Sequence, residues 1–532
     1  HMKLQTFCRA AGLAALIAVA GCKTLDIANP NEPDAKRALS DPTALEAVAG
    51  GTMRTWFNTY DGMELSGVEG VQAQSWAASW NNYNMNFYSG LDADGTRGTR
   101  SWQNNTAAAG HSSIVWGWTG YYSVLSSASD VLKAIRVNKV IINNAADTKR
   151  AETVALMMQG AALANISLEY DKGYVVDETT DLGTLTYSDR KKLRDAALSH
   201  LLEAAALAKA NAFTTPAAWT GGTGYSNTQI AQIANTMAAM LLANWPRNPT
   251  ENAAVAWSTV AGYAAQGMSS GTPFDFVFTG DGCSTFCHEV LTWFDAFDTG
   301  RVHTRVANMM DPVTQKTPWP LATGGNGKPN SADKRMGDGS FGDASIVDGW
   351  GSYPKTAKAG TDFVWSSQAN MRPDRGSYHQ SNIGHIRYDL SGNQDPTGIW
   401  AGYGPAPVIT RHLNDLVWAE ALLRSGGSLD LAATLINKTR VTRGGLPAAT
   451  AADGNAGLMT KLNYEYEIEQ IGLGPVVYYF RRRLGGLVTG TPNEKPVPAK
   501  ELGVLGQPLY TWGGSSPANS PTPPWWRVEL SW

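Results

Sequence analysis

Aromatic and amide side chains are concentrated in two stretches of this 532-residue sequence, in which Trp, Tyr and Phe make up 10% of all residues. A flat ring stacks on the C–H face of a sugar, and amide groups bond sugar hydroxyls. Tryptophan is usually well buried, so over half of these rings are expected to be core. The others predict a glycan-binding platform formed by two groups, Trp80, Asn81, Tyr83 and Asn84 in the first and Trp350, Trp365 and Trp400 in the second.

The N-terminal segment has the pattern of a lipid-attachment signal. A positively charged start precedes the apolar run Ala10–Ala20, which is too short to span a bilayer. The run ends in VAGC, which matches the lipobox at which bacterial lipoproteins are cleaved and then acylated on cysteine. We therefore predict that residues 1–21 are a signal peptide, that Cys22 carries lipid, and that residues 22–37 tether the body to the bilayer.

Cys283 and Cys287 are the only cysteines that follow the predicted lipidation site. Outside the cytoplasm, two such thiols pair most simply as a short-range disulfide. The segment CSTFCH is one residue longer than the C-x-x-C-H haem-attachment motif and has no evident second ligand. We therefore predict a disulfide between these cysteines and no cofactor.

Four aspartates recur every five residues in a Gly-rich stretch, and carboxylates on such a loop are potential calcium ligands. Asp338 and Asp343 are the calcium candidates, but the D-x-D-x-D-G spacing is missing and a solvated acidic loop is favoured. The sequence also lacks G-x-S-x-G, H-E-x-x-H and paired-carboxylate signatures. No catalytic residue is predicted, and the chain is expected not to be an enzyme.

The charge balance excludes a nucleic-acid partner. The chain carries 43 Lys and Arg against 46 Asp and Glu, a net charge of −3, so no basic field attracts a polyanion. The one cationic cluster, Arg481-Arg482-Arg483, is predicted to be the solvated end of a helix.

The stretch Asn414–Leu446 predicts a helical hairpin. Apolar residues recur along one face of each half, Gly426 and Gly427 end the first helix, and Ser428 is the predicted N-cap of the second. Four polar residues are predicted to have a structural role, with Glu420 facing Arg440 across the turn as an ion pair; they are Glu420, Asn437, Arg440 and Arg443.

Periodic apolar residues predict further helices between residues 42 and 267. These are Pro42–Asn58, Val71–Asn82, Ile114–Val137, Asp147–Asp171, Ser188–Ala210, Asn227–Trp245 and Pro249–Gly267. The last four are predicted to form two consecutive hairpins of tetratricopeptide length. The stretch 271–404 lacks long periodic segments and predicts an irregular insert within one body, residues 38–512, followed by a Pro/Ser-rich tail, residues 513–532.

Two sequence blocks carry a family resemblance. AEALLRSGG followed by INKTRVTRGGL, and then PVPAKEL near the C-terminus, resemble the core motifs of SusD/RagB-like outer-membrane lipoproteins. Four residues between the blocks match the family pattern, namely Glu465, Glu469, Gly474 and Arg482. Three depart from it, with Tyr466 and Val476 in place of Arg and Tyr479 in place of Asp.

The resemblance implies a mainly α fold, in which tetratricopeptide-like hairpins pack against an irregular, loop-rich half. It implies a lipid-anchored protein of the outer membrane, at the cell surface, that binds an oligosaccharide or peptide nutrient. Such a protein sits as a lid on a TonB-dependent barrel like SusC, with its ligand site where the N-terminal helices meet the irregular half. The alternatives are a surface enzyme that degrades polysaccharide and a structural surface protein whose aromatic residues contact other proteins.

Overall fold

A computed structural model describes most of the body of the chain. The described residues are 41–78, 104–108, 110–290, 294, 300–317, 326–337, 345–347, 350–352, 362–365, 379–388, 402–487 and 491–510. Cys22, Asp338 and Asp343 lie outside them, and so do the predicted signal peptide, the linker and the tail.

The described residues are mainly helical, as predicted. Their α-helices are α1 Pro42–Tyr60, α2 Val68–Gln72, α3 His111–Leu132, α4 Ala145–Glu169, α5 Arg190–Ala210, α6 Asn227–Asn244, α7 Pro249–Ala253, α8 Trp257–Ala264, α9 Thr304–Met310, α10 Arg411–Ser425, α11 Leu429–Arg440, α12 Gly454–Glu469, α13 Val476–Arg483 and α14 Ala499–Val504. Two π-helical segments, Met63–Gly67 and Lys133–Val137, adjoin α2 and α3.

The strands are short and pair two by two. They are β1 Trp76–Ala78, β2 Lys172–Gly173, β3 Ser188–Asp189, β4 Phe276–Asp281, β5 Gly300–Val302, β6 Ser345–Val347, β7 Trp350–Ser352, β8 Phe363–Trp365, β9 Ile383–His385 and β10 Tyr403–Ile409. The antiparallel pairs within the described ranges are β1–β5, β2–β3, β4–β10, β6–β7 and β8–β9. Most of these strands lie between residues 271 and 404.

The helical half is a row of antiparallel hairpins, with α4 at its centre. Every residue of α4 from Ala151 onward is buried, since α3 and α5 both pack against it. Gly160 permits the close approach of α5, because a Cβ there would lie 2.9 Å from the Leu201 side chain. Side-chain caps fix where the helices begin; Ser226 and Gln229 form a capping box at α6.

The predicted hairpin near the C-terminus is confirmed as α10 and α11. Gly426 adopts the left-handed conformation that ends α10, with φ of 73°. The Ser428 side chain accepts a hydrogen bond from the Leu431 N–H and caps α11. The predicted disulfide between Cys283 and Cys287 is also present.

The predicted helix Val71–Asn82 is wrong over its described part. The helix ends at Gln72, Gln74 takes a positive φ of 56°, and the chain continues as strand β1. Pairing with β5 and stacking of Trp76 on Phe294, with ring centroids 4.7 Å apart, stabilise the strand. Tertiary contacts therefore override the local helical periodicity.

Buried glutamates of α12 join the helical half to the loop-rich half. Glu469 lies 3.0 Å from Arg335, 2.9 Å from Arg387 and 2.7 Å from Arg443. Burial alone would raise the pKa of Glu469, but these three cations outweigh it and lower the pKa to about 2. Arg335 and Arg387 both belong to the loop-rich half, so this carboxylate fixes that half against α12.

The other two glutamates of α12 extend the network. Glu465 lies 2.8 Å from Arg335, and Glu467, which points to another side of the helix, lies 2.7 Å from Arg481 and also pairs with Arg305. Burial would raise the pKa of Glu467, and the two arginines lower it below the ordinary value.

The prediction that Arg481-Arg482-Arg483 is a solvated helix end is wrong, because all three side chains are buried. Arg481 pairs with Glu467, and Arg482 donates to the Leu168 carbonyl at 2.8 Å. Arg483 donates to Glu420 at 2.6 Å. Sequence alone gave no sign that these cations have buried partners distant in the chain.

The predicted pair of Glu420 with Arg440 is also wrong. Glu420 is held by Arg483 and by Arg424, whose Nε lies 2.7 Å away on the same helix. Arg440 instead donates to the Pro447 carbonyl at 2.8 Å and lies 3.6 Å from Glu465.

Two further residues of the motif have structural contacts. Asn437 exchanges two hydrogen bonds with the Ala449 backbone, at 2.7 and 2.8 Å. Arg443 donates a hydrogen bond of 2.6 Å to the carboxylate of Asp362, the residue just before β8. Both therefore position the loops that follow α11 and precede β8.

Replacing Glu469 by Gln tests the importance of the network. Because the substitution leaves the buried Arg335 and the half-buried Arg387 and Arg443 without their shared carboxylate, we expect the free energy of unfolding to fall by about 3–5 kcal/mol in urea denaturation. Asp195→Asn is the control, since Asp195 is 46% exposed in its pair with Arg194 and should contribute less than about 1 kcal/mol. Equal, small losses in both variants would contradict a structural role for Glu469.

Candidate functional site

Four short strands meet where the N-terminal helices contact the loop-rich half. β1 pairs with β5, and β8 pairs with β9. Residues 379–382 join the two pairs: the Ser381 N–H donates to the Val302 carbonyl at 3.0 Å, and the Gln380 side chain donates to the Ala77 carbonyl at 3.1 Å. We call β1, β5, β8, β9 and residues 379–382 the strand corner.

Two of the predicted aromatic residues lie in the strand corner or next to it in sequence. β1 ends at Ala78, two residues before Trp80, and β8 ends on Trp365. Rings pack across the corner, with the Trp76 and His385 centroids 5.4 Å apart and those of Phe363 and His385 5.3 Å apart.

Of the predicted ligand-binding side chains, the structure describes only that of Trp365. Trp365 is half-buried and packs against the hydrophobic core. Trp350 begins β7, where its backbone pairs with Val347. The others lie outside the described residues, namely Trp80, Asn81, Tyr83, Asn84 and Trp400.

Several buried polar atoms in the strand corner, or in the residues directly next to its strands, have no hydrogen-bond partner among the described residues. They are the Trp365 Nε1, the Gln380 Oε1, the His303 Nε2 and the Ser75 Oγ. An unsatisfied buried polar group costs about 1–3 kcal/mol. The corner therefore offers both donors and acceptors that a hydroxyl-rich ligand or ordered water would satisfy.

The imidazole at the corner is electrically neutral. Burial first, and then the nearby His379, Arg305 and Arg481, hold the pKa of His303 well below its usual range. Its Nδ1 accepts the Arg305 N–H at 2.9 Å, so its Nε2 carries the proton as a donor. His303 is part of no pattern that the sequence analysis recognised, since a lone histidine beside a short strand gives no signal.

A carboxyl group beside the corner has an unusual pKa. Glu289 accepts a hydrogen bond from the Met63 N–H at 2.7 Å, and nearby Asp61 lies 3.0 Å from His288. Burial, and then the charges of Glu64 and Asp61, raise the pKa of Glu289 to about 7 despite that hydrogen bond.

The described ranges contain no candidate metal centre. No three His, Cys, Asp or Glu side chains of the described residues lie close enough together to bind an ion.

Among the helices of the described residues, none has the length and apolar character needed to cross a membrane.

The row of hairpins packs against the loop-rich half, and the strand corner lies where they meet. This fold is SusD-like. A SusD-like carbohydrate binding protein from Bacteroides fragilis NCTC 9343 is similar over 84% of this chain and 86% of its own, with a TM-score of 0.57 at 12% identity. A SusD homolog from Bacteroides thetaiotaomicron VPI-5482 is similar over 92% of this chain and 94% of its own, with a TM-score of 0.54 at 14% identity. No protein-family model matches the sequence, and no curated protein matches it.

Glu289 gives the protein a predicted pH dependence. Because the pKa of this carboxyl rises from 4.5 in the unfolded chain to about 7 in the folded protein, the folded state binds more protons between these values. Its contribution to stability is therefore present below about pH 4.5 and is lost as the pH rises through about 7, by roughly 3 kcal/mol in total. The difference in unfolding free energy between the wild type and Glu289→Gln should follow this course in urea titrations at several pH values. A difference that stays constant with pH would contradict it.

Proposed function

We propose that this chain is a cell-surface lipoprotein that binds an oligosaccharide beside the strand corner, without catalysis. The observation that carries the proposal is that one residue of each predicted aromatic group lies in, or two residues after, a strand of the same corner. The segment with Trp80 and Tyr83 leaves from β1, and Trp365 ends β8, while β1 and β8 belong to the same corner. β1 and β8 are connected through β5 and β9, and in this proposal the rings that follow or end these strands face one ligand.

The chemistry of the corner supports a sugar as the ligand. The Trp365 indole N–H donates, the Gln380 Oε1 accepts, and neither is bonded elsewhere among the described residues. A sugar supplies hydroxyls that do both, and its C–H face stacks on aromatic rings. The similar structure from Bacteroides fragilis is described as a carbohydrate binding protein, and the shared fold makes this ligand class the first to test.

We further propose that the protein delivers its ligand to a SusC-like TonB-dependent barrel in the outer membrane. The lipobox at Cys22 supports anchoring on the membrane that holds such barrels. The barrel performs the transport in this proposal, and the lipoprotein holds the ligand at its entrance. Co-purification of a TonB-dependent barrel with the tagged lipoprotein from native membranes tests this partnership.

Binding should depend on the two aromatic groups. On a combined glycan and peptide array, we expect an oligosaccharide hit, and Trp80→Ala should weaken its binding by about 1–3 kcal/mol, roughly ten- to a hundredfold. Trp365→Phe is a second test, since it keeps an aromatic ring at the half-buried position and removes the N–H donor together with part of the ring.

Trp245→Phe is the matched control for Trp365→Phe. Trp245 is also half-buried against the core, but it belongs to the helical half and donates to the Arg190 carbonyl. It should leave calorimetric binding unchanged, and all three variants should melt within a few degrees of the wild type. A peptide hit alone would refute the ligand class. Unchanged binding in Trp80→Ala and Trp365→Phe would refute the location.

Lipid anchoring has its own test. Because acylation needs the thiol of Cys22, Cys22→Ser should move the protein from the membrane fraction to the soluble fraction. Cys8→Ser is the control, since Cys8 lies in the predicted signal peptide and takes no lipid. Membrane retention of Cys22→Ser, measured by fractionation and immunoblotting, would overturn the lipid anchor.

A further inference from the structure

A cavity lies in the helical half, away from the residues of the strand corner. It is bordered by the end of α10, the first half of α12 and the junction of α7 with α8, and its volume is about 620 Å³. This volume falls in the range of small-molecule sites.

Asn463 is a buried amide that faces this cavity. Its side chain is 7% exposed and lines the cavity, yet it makes no hydrogen bond to any described residue. Buried side-chain amides are nearly always bonded, so an unbonded one requires an explanation. The amide offers one acceptor and two donors to whatever occupies the cavity.

Arg424 supplies positive charge to the same cavity. Its Nε donates to Glu420 at 2.7 Å, and its guanidinium lies 5.1 Å from the Trp257 ring centroid. Its two Nη groups donate to no described residue. Because Glu420 is also bonded by Arg483, the three side chains carry one positive charge in excess.

The free Nη groups of Arg424 form the planar fork that suits a carboxylate. Such a fork donates two parallel hydrogen bonds to the two carboxylate oxygens. Arg424 is the only charged residue among the described ones that line the cavity. An anion there meets no competing side-chain carboxylate from the cavity wall.

Acceptors for hydroxyl groups lie near the fork. Asn455 donates its Nδ2 to the Leu423 carbonyl at 2.6 Å, which leaves its Oδ1 available. Thr460 donates to the Ala456 carbonyl at 3.1 Å, which leaves its oxygen able to accept. With Asn463, these residues and Met459 follow one face of α12, so the cavity presents several acceptors beside an apolar surface.

We propose that this cavity binds a small hydroxylated carboxylate, of the size of a single sugar acid. Arg424 holds the carboxylate, Asn463 and Asn455 bond hydroxyls, and Trp257 and Met459 contact the carbon skeleton. The inference goes beyond the proposed function, because it uses a different surface and a charged ligand.

Calorimetry with glucuronate and glucose tests the proposal, since the two sugars differ in the carboxylate. We expect glucuronate to bind with a Kd of about 1 mM, as its few non-hydrogen atoms allow, and glucose to bind at least about tenfold more weakly. Arg424→Ala should weaken glucuronate binding about tenfold or more, and Asn463→Ala by a smaller factor. Added salt should weaken glucuronate binding as well.

Arg194→Ala is the matched control. Arg194 has the same partial exposure as Arg424, 21% against 22%, and it also stacks on a tryptophan, with Trp245 4.3 Å away, but it lies outside the cavity. It should bind glucuronate as the wild type does. Arg424→Lys keeps the charge and the fold and should lose part of the affinity with the fork. Equal binding of both sugars, no glucuronate binding, or unchanged affinity in a folded Arg424→Ala variant would each overturn the proposal.

Discussion

The carboxylate of Glu469 has to be matched by cations from both halves of the molecule, and the architecture depends on that match. A charge removed from water is tolerated only when partners replace its hydration. Here the partners come from three places along the chain, Arg335 and Arg387 in the loop-rich half and Arg443 beyond α11. One side chain therefore sets the position of β8 and β9 relative to the helical hairpins, and with them the position of the strand corner.

A second buried charge group joins the two ends of the described chain. Lys495 lies 2.8 Å from Glu69 and 2.9 Å from Glu169, at the end of α4. Burial, and then Glu169, raise the pKa of Glu69 well above its usual range, while Lys495 keeps the pKa of Glu169 low against the effect of burial. The hydroxyl of Tyr479 donates to Glu169. Tyr479 is the residue that replaces the Asp of the resembled motif. Its uncharged hydroxyl takes part in this buried charge group by bonding Glu169.

The part of the fold that depends on neighbouring residues was predictable. The Gly426 turn, the Ser428 cap and the Cys283–Cys287 bond each involve residues a few positions apart, and all are present. The partners of Glu420 and Arg483 were not predictable, because they are 63 positions apart and an arginine cluster after aromatic residues also suits a solvated helix end. Strand β1 was missed for the same reason, since its partner β5 lies far along the chain.

The candidate site, too, was predictable only in part. Residue types pointed to aromatic and amide groups, and Trp365 does lie at the strand corner. The residues that shape the corner carry no recognisable motif; His303 and Gln380 become neighbours only through an isolated strand bridge. Arg424 belongs to the AEALLRSGG block of the sequence, but the cavity that it lines also needs α12. The packing of α12 against α10 could not be read from the sequence.

The location of α12 in the chain has a consequence for the order of folding. Its glutamates follow Arg305, Arg335 and Arg387 in the sequence, so those arginines leave the ribosome before their buried partners exist. The first hairpins, whose contacts are local, are free to form early, while the loop-rich half has nothing to lock against. Until the last hundred residues have been made, the nascent chain is therefore held loosely in this region. The loop-rich half therefore reaches its final packing only after α12 has been made.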